Sequence, residues 1–143
     1  MQPEPIFSFA STFVLVGWIL LIFAFRWKHT LTIVRLGVIL LLSILYTFLI
    51  ITHFGDGDGG FGSLEEVSLL FENPWALLAG WVHYLAFDLF VGSWEVQNAR
   101  SVGISHWFVI PCLLLTFLFG PLGLLLYLII RTAYTKQMTH EFA

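Results

Sequence analysis

The chain has 143 residues, of which 59% are apolar and only 10% charged, and its net charge is −3. Soluble domains carry about 25% charged residues, and a domain this small has too much surface for its volume to hide so much apolar matter from water. Lipid must be one of its solvents, and with no basic patch nucleic acid is excluded as a partner.

The N-terminal stretch MQPEPIFSFASTF lacks a positive n-region, and the apolar run after it is long enough to span, so it reads as a first membrane helix rather than a cleaved signal. That run, residues 6–25, ends at Arg26-Trp27-Lys28, where an amphipathic ring and snorkelling cations suit a headgroup boundary. About twenty residues at 1.5 Å each cover about 30 Å, the thickness of the hydrocarbon core. Residues 36–52 give a second span, with Arg35 on the same side as Arg26 and Lys28, and with Tyr46 and Thr47 polar enough to face other helices.

A Gly-rich acidic segment follows. Ser63 and Glu66 have capping-box spacing and predict a short interfacial helix over 63–71. Asp56-Gly57-Asp58-Gly59 lacks the later bidentate Glu of a calcium loop and reads as a solvated turn. Pro74 suits the first turn of a third helix over 74–94, since its missing N–H costs nothing there. Glu95 to Ser105 reads as a polar link, and 107–130 as a fourth span closed by Arg131 and Lys136. Pro111 and Pro121 within it free the carbonyls of Trp107 and Phe117 and bend the helix, while Gly120 and Gly123 admit a close neighbour or ligand. Cys112, the single cysteine, sits among apolar residues as a packed core thiol.

The predicted fold is therefore all-α: one polytopic membrane domain over residues 1–143, with four transmembrane helices in a bundle. Arg26, Lys28, Arg35 and Arg100 fall in the first and third links, so the positive-inside rule places both termini away from the cytoplasm. Such a bundle fits a free-standing protein, a homo-oligomer or a subunit of a larger membrane complex.

The third helix carries the ionisable residues. A titratable group at bilayer depth costs about 3 kcal/mol on insertion scales, so His83 and Asp88 need a reason to be there. They are five positions apart, about 140° around a helix and about 7.5 Å along it. Asp88 shares a face with Trp81, Tyr84 and Glu95; His83 shares another with Phe87, Phe90 and Trp94. Three roles compete: interhelical hydrogen bonds to Tyr46, Thr47, Thr116 or a freed carbonyl; an acid–base pair in a dry pocket; and a proton or ion path through Asp88, Glu95, Arg100 and His106. No pair has the i, i+3 or i, i+4 spacing of a bundle metal site, so no metal is expected. The aromatic share of 17% serves packing first, though such walls also suit a long flat polyene.

The runs GWVHYLAFDLFVG and SHWFVIPCLLLTFLFGPLGLLLYL resemble the abscisic-acid-deficient-four-like family, whose plant members are associated with neoxanthin synthesis. The matching positions include Trp81, His83, Asp88, Leu89, Phe90, Cys112, Pro121 and Gly123. The link from Trp94 to His106 differs from plant members and no plastid transit segment is present, so the chain resembles a bacterial-type member of an inner membrane. The resemblance implies a membrane protein that binds or processes a carotenoid-like lipid. Carried over, the plant chemistry is isomerisation of an epoxy-carotenoid to an allene, without a cofactor or net redox change. His83 and Asp88 would be its acid and base. Trp81, Tyr84, Phe87, Glu95, Gly120 and Pro121 would line the ligand. The alternative is a non-catalytic accessory subunit that holds pigment or packs against a larger complex.

Overall fold

A computed structural model describes residues 2–135 apart from 54 and 56, and every regular element among them is helical. Three helices are long and apolar enough to cross a membrane: α1 (Pro3–Phe23), α2 (Thr30–His53) and α4 (Pro74–Val102). A π-helical stretch, Ile33–Ile39, lies within α2. Between α2 and α4 sits the short α3 (Leu64–Glu72), capped as expected: Ser63 Oγ accepts from the Glu66 N–H at 3.2 Å, and the Glu66 carboxylate reaches back to the Gly62 N–H at 2.9 Å. Asp56, half of the rejected calcium motif, and Lys136 lie outside the described residues.

The bundle is built around α4. Asn73 caps it, its Oδ1 accepting from the N–H groups of Trp75 and Ala76, and Pro74 takes the first turn. Gly103, at φ 79°, ends it in the left-handed region that glycine adopts without strain. Small residues bring α1 and α4 together reciprocally: Leu89 presses on Gly17, and the Trp18 ring presses on Gly92. From α2, Arg35 donates to Ser93 Oγ at 3.0 Å and to Gln97 Oε1 at 2.7 Å.

Two expectations are corrected here. The third helix does not stop at 94; it runs two further turns, because Ser93, Glu95, Gln97 and Asn98 find partners on neighbouring helices instead of water. Nor is 107–130 one span. It is two helices, α5 (His106–Phe119) and α6 (Pro121–Thr135), folded back on each other. Gly120 adopts φ 46°, Pro121 has no N–H to continue the ladder, and Gly123 lets α6 lie directly against Thr116 and the Cys112 carbonyl.

Contacts with α4 fix the course of this hairpin. On the way in, Thr116 meets Glu95 and Gly120 meets Asp88, half-way along α4; on the way out, Tyr127 and Arg131 return to Asn98. About fourteen residues at 1.5 Å reach only about 21 Å, short of the hydrocarbon thickness. The segment is re-entrant in shape, its tip level with the middle of α4. Consequently Arg131 lies at the Arg100 end of the bundle, not opposite it, together with Arg26, Lys28 and Arg35. Glu4, Glu65, Glu66 and Glu72 gather at the other end, near the start of α4.

Candidate functional site

The tip of the hairpin meets α4 where its carboxyls are. A Cβ on Gly120 would lie 2.8 Å from Asp88 Oδ1, so the carboxyl occupies the space that glycine leaves open. One turn before Asp88, Tyr84 donates to the Phe117 carbonyl at 3.0 Å; this is the carbonyl that Pro121, four residues on, leaves without an intrahelical donor. The broken ladder is thereby repaired by a side chain of α4, which ties the tip down.

Two turns beyond Asp88, on the same face, Glu95 is 0% exposed. The Thr116 hydroxyl donates to its Oε1 at 3.0 Å. Two side-chain oxygens, Asp88 Oδ2 and Glu95 Oε2, are buried without a hydrogen-bond partner among the described residues. Buried polar atoms are almost always paired, because an unmade bond costs the group's full desolvation, so these two oxygens call for an explanation.

Closer to the basic end the polar groups are matched. Asn98 Oδ1 accepts from the Tyr127 hydroxyl at 2.7 Å and from Arg131 Nε at 2.8 Å, and the Trp94 ring meets the Tyr127 edge at 5.5 Å. This cluster anchors the returning limb. It was not singled out from the sequence, where only the i, i+4 spacing of Tyr127 and Arg131 hints at one shared face.

His83 sits elsewhere. Its ring stacks on Phe87 at 4.5 Å and meets the Tyr46 ring edge-on at 5.5 Å, facing α2. With Tyr46, His53, Phe71, Trp75 and Gly80 it lines an apolar groove of about 310 Å³ between α2, α3 and α4. His53 closes that groove by stacking on Trp75 at 4.0 Å. Trp81 turns to α1, its Nε1 donating to Ser11 Oγ at 2.9 Å, beside a second groove lined by Phe7, Phe71 and Leu77.

Of the residues expected in a site, Asp88, Tyr84, Gly120 and Pro121 therefore come together at the hairpin tip, and Glu95 meets the incoming limb one turn before it, at Thr116. His83 and Phe87 lie on the α2 side, and Trp81 on the α1 side. A ligand touches both His83 and Asp88 only by reaching around α4. Cys112 is buried with its Sγ–H directed at the Phe108 carbonyl, the packed thiol that its neighbours suggested. Among the described residues no three His, Cys, Asp or Glu side chains converge as a metal site would require.

Neither a curated protein nor a solved structure matches the chain. The model of the ABA DEFICIENT 4-like family does, over residues 5–127, a span that takes in α1 through the Asn98-bound Tyr127 and so includes both carboxyls and the hairpin tip; the chain belongs to that family.

Proposed function

We propose that this membrane protein binds a carotenoid-like lipid and isomerises its oxygenated end by acid–base chemistry, with Asp88 at the reacting position. The observation that carries this reading is the buried, unpartnered Asp88 Oδ2 at the hairpin tip, half-way along a membrane-spanning helix. A carboxyl retained at that depth with one oxygen unbound is fitted to meet a polar group carried into the membrane by an apolar ligand. Family membership supports the carotenoid class, and opening an epoxide with loss of a neighbouring proton needs an acid, a base and no cofactor.

In this reading the basic end, with Arg26, Lys28, Arg35, Arg100 and Arg131, faces the cytoplasm, and the acidic end with Pro3 and α3 faces away. Three crossings and a re-entrant hairpin then put the described ends, residues 2 and 135, on opposite sides. This replaces the earlier expectation for the C-terminal side, which depended on a fourth crossing.

The test is expression in a carotenoid-producing bacterium, followed by comparison of cell pigments and of pigment retained on the purified protein. A new carotenoid, absent with Asp88→Asn, is the expected result. An unchanged pigment retained in fixed ratio would overturn the enzymatic reading in favour of an accessory, pigment-holding subunit. An unaltered profile with colourless protein would overturn both for that host's carotenoids.

A further inference from the structure

Glu95 has no role in the anchoring cluster, and the reaction as written leaves its partnerless oxygen unexplained. Its surroundings define its state. The Thr116 hydroxyl donates to one oxygen, and the buried Cys112 thiol of α5 lies near. Along α4 its neighbours on this face are Asp88 and Asn98; the Arg131 guanidinium is bound to Asn98, and that of Arg35, from α2, to Ser93 and Gln97. A single hydroxyl donor does not compensate a carboxylate that is 0% exposed between apolar helices; a neutral acid at this position avoids that penalty.

Asp88 differs in one respect. It lies against Gly120, the single residue between α5 and α6, so it sits at a break in the helical ladder rather than beside a continuous helix wall. Two carboxyls on one face in different surroundings are the arrangement by which a site obtains an acid and a base from the same chemistry. Both abut the last turn of α5, at Thr116 and Gly120, which are four residues apart.

We infer that Glu95 carries a proton in the resting protein and, with Asp88 as the anionic member, forms a two-carboxyl acid–base pair across the hairpin tip. The proton-holding part stands on the geometry alone; its use in catalysis rests on the isomerase reading. In that use the Glu95 proton goes to the epoxide oxygen as the C–O bond breaks. Asp88 takes the proton from the adjacent polyene carbon, whose C–H electron pair becomes the new C=C. The pair finishes with one proton, as it began, but on the other member. Return of that proton from Asp88 to Glu95 completes the cycle.

Infrared spectroscopy of the full chain in lipid nanodiscs at neutral pH, without ligand, tests the assignment. The expected spectrum has a neutral carboxylic acid C=O band that disappears in Glu95→Gln, persists in Asp88→Asn and moves to higher wavenumber in Thr116→Val, which removes the hydroxyl donor. A wild-type protein without the band, a band that survives Glu95→Gln, or one lost in Asp88→Asn would overturn the proposal. If Glu95→Gln fails to fold, an unshifted band in Thr116→Val overturns it equally. None of these spectra depends on a carotenoid, so failure of the isomerase reading and failure of this one are separable.

Discussion

Two polar regions share one face of α4 and are built differently. Near its C-terminus, Asn98 receives both Tyr127 and Arg131, and each of these contacts ties the returning limb of the hairpin to the bundle. Half-way along, Asp88 and Glu95 each keep a buried oxygen without a partner. The first region spends its polar groups on holding the fold. The second leaves two oxygens without partners at the depth where water is scarcest, which is costly for stability and is the feature that the proposed chemistry would explain.

If that division is right, the largest losses of stability should come from changes that prevent the hairpin from closing. Gly123→Ala would place a Cβ against the Thr116 amide and the Cys112 carbonyl, backbone atoms that cannot swing aside. Overpacking of this kind costs about 1–3 kcal/mol and here should reach the upper part of that range, read as a lowered thermal midpoint of the detergent-solubilised protein. A midpoint unchanged from wild type would mean that α6 does not lie on α5 in this way. Next comes Asn98→Ala, which deprives Tyr127 and Arg131 of a shared acceptor in a buried setting. A loss of about 2 kcal/mol is expected in the same measurement, with pigment chemistry reduced no more than the folded fraction.

The hairpin also marks where sequence reasoning stopped. Three crossings were legible because bilayer thickness converts directly into about twenty apolar residues, and the helix starts at Asn73-Pro74 and Ser63 follow from capping chemistry. Residues 107–130 satisfy the same length rule whether the chain continues or doubles back, since hydropathy carries no direction. The information that decides lies in Gly120-Pro121-x-Gly123, where a left-handed glycine, a missing N–H and a side-chain-free contact surface coincide. From the sequence these residues suggested a bend, and the bend is nearly a reversal. Glu95 was placed in a link for a related reason: polar residues from 95 to 100 look solvated unless other helices supply Thr116, Arg35 and Tyr127 as partners. The shared face of Asp88, Tyr84 and Glu95 was legible from helix periodicity; that the Gly120-Pro121 bend meets that face, and that His83 does not, depends on which neighbour each face of α4 meets.

A smaller effect sharpens the contrast from outside it. Ser63→Ala removes the acceptor for the Glu66 N–H and should cost about 1 kcal/mol, confined to α3 and the groove it helps to cover. Hydrogen exchange should rise over 64–72 while the amides of α4 to α6 keep their protection. Exchange that rises equally through the hairpin would show that α3 and the carboxyl region form one cooperative unit, and the functional site would then have to be drawn to include both.

The smallest effect on stability is the most informative. Asp88→Asn preserves the side chain's volume while removing its charge and putting an amide donor in place of one oxygen; since Oδ2 has no partner to lose, stability should change by no more than about 0.5 kcal/mol, read as a small shift of the thermal midpoint in either direction. Conversion of carotenoid, if the acid–base reading holds, should fall by about 100-fold or more. The two regions would then be distinguished by opposite signatures on one helix: a substitution at Asn98 that lowers stability and spares chemistry per folded molecule, and one at Asp88 that does the reverse. Should Asp88→Asn instead unfold the protein, the carboxyl belongs with Asn98 among the groups that hold the hairpin down, and the unspent oxygen would have to be explained by a structural partner rather than a substrate.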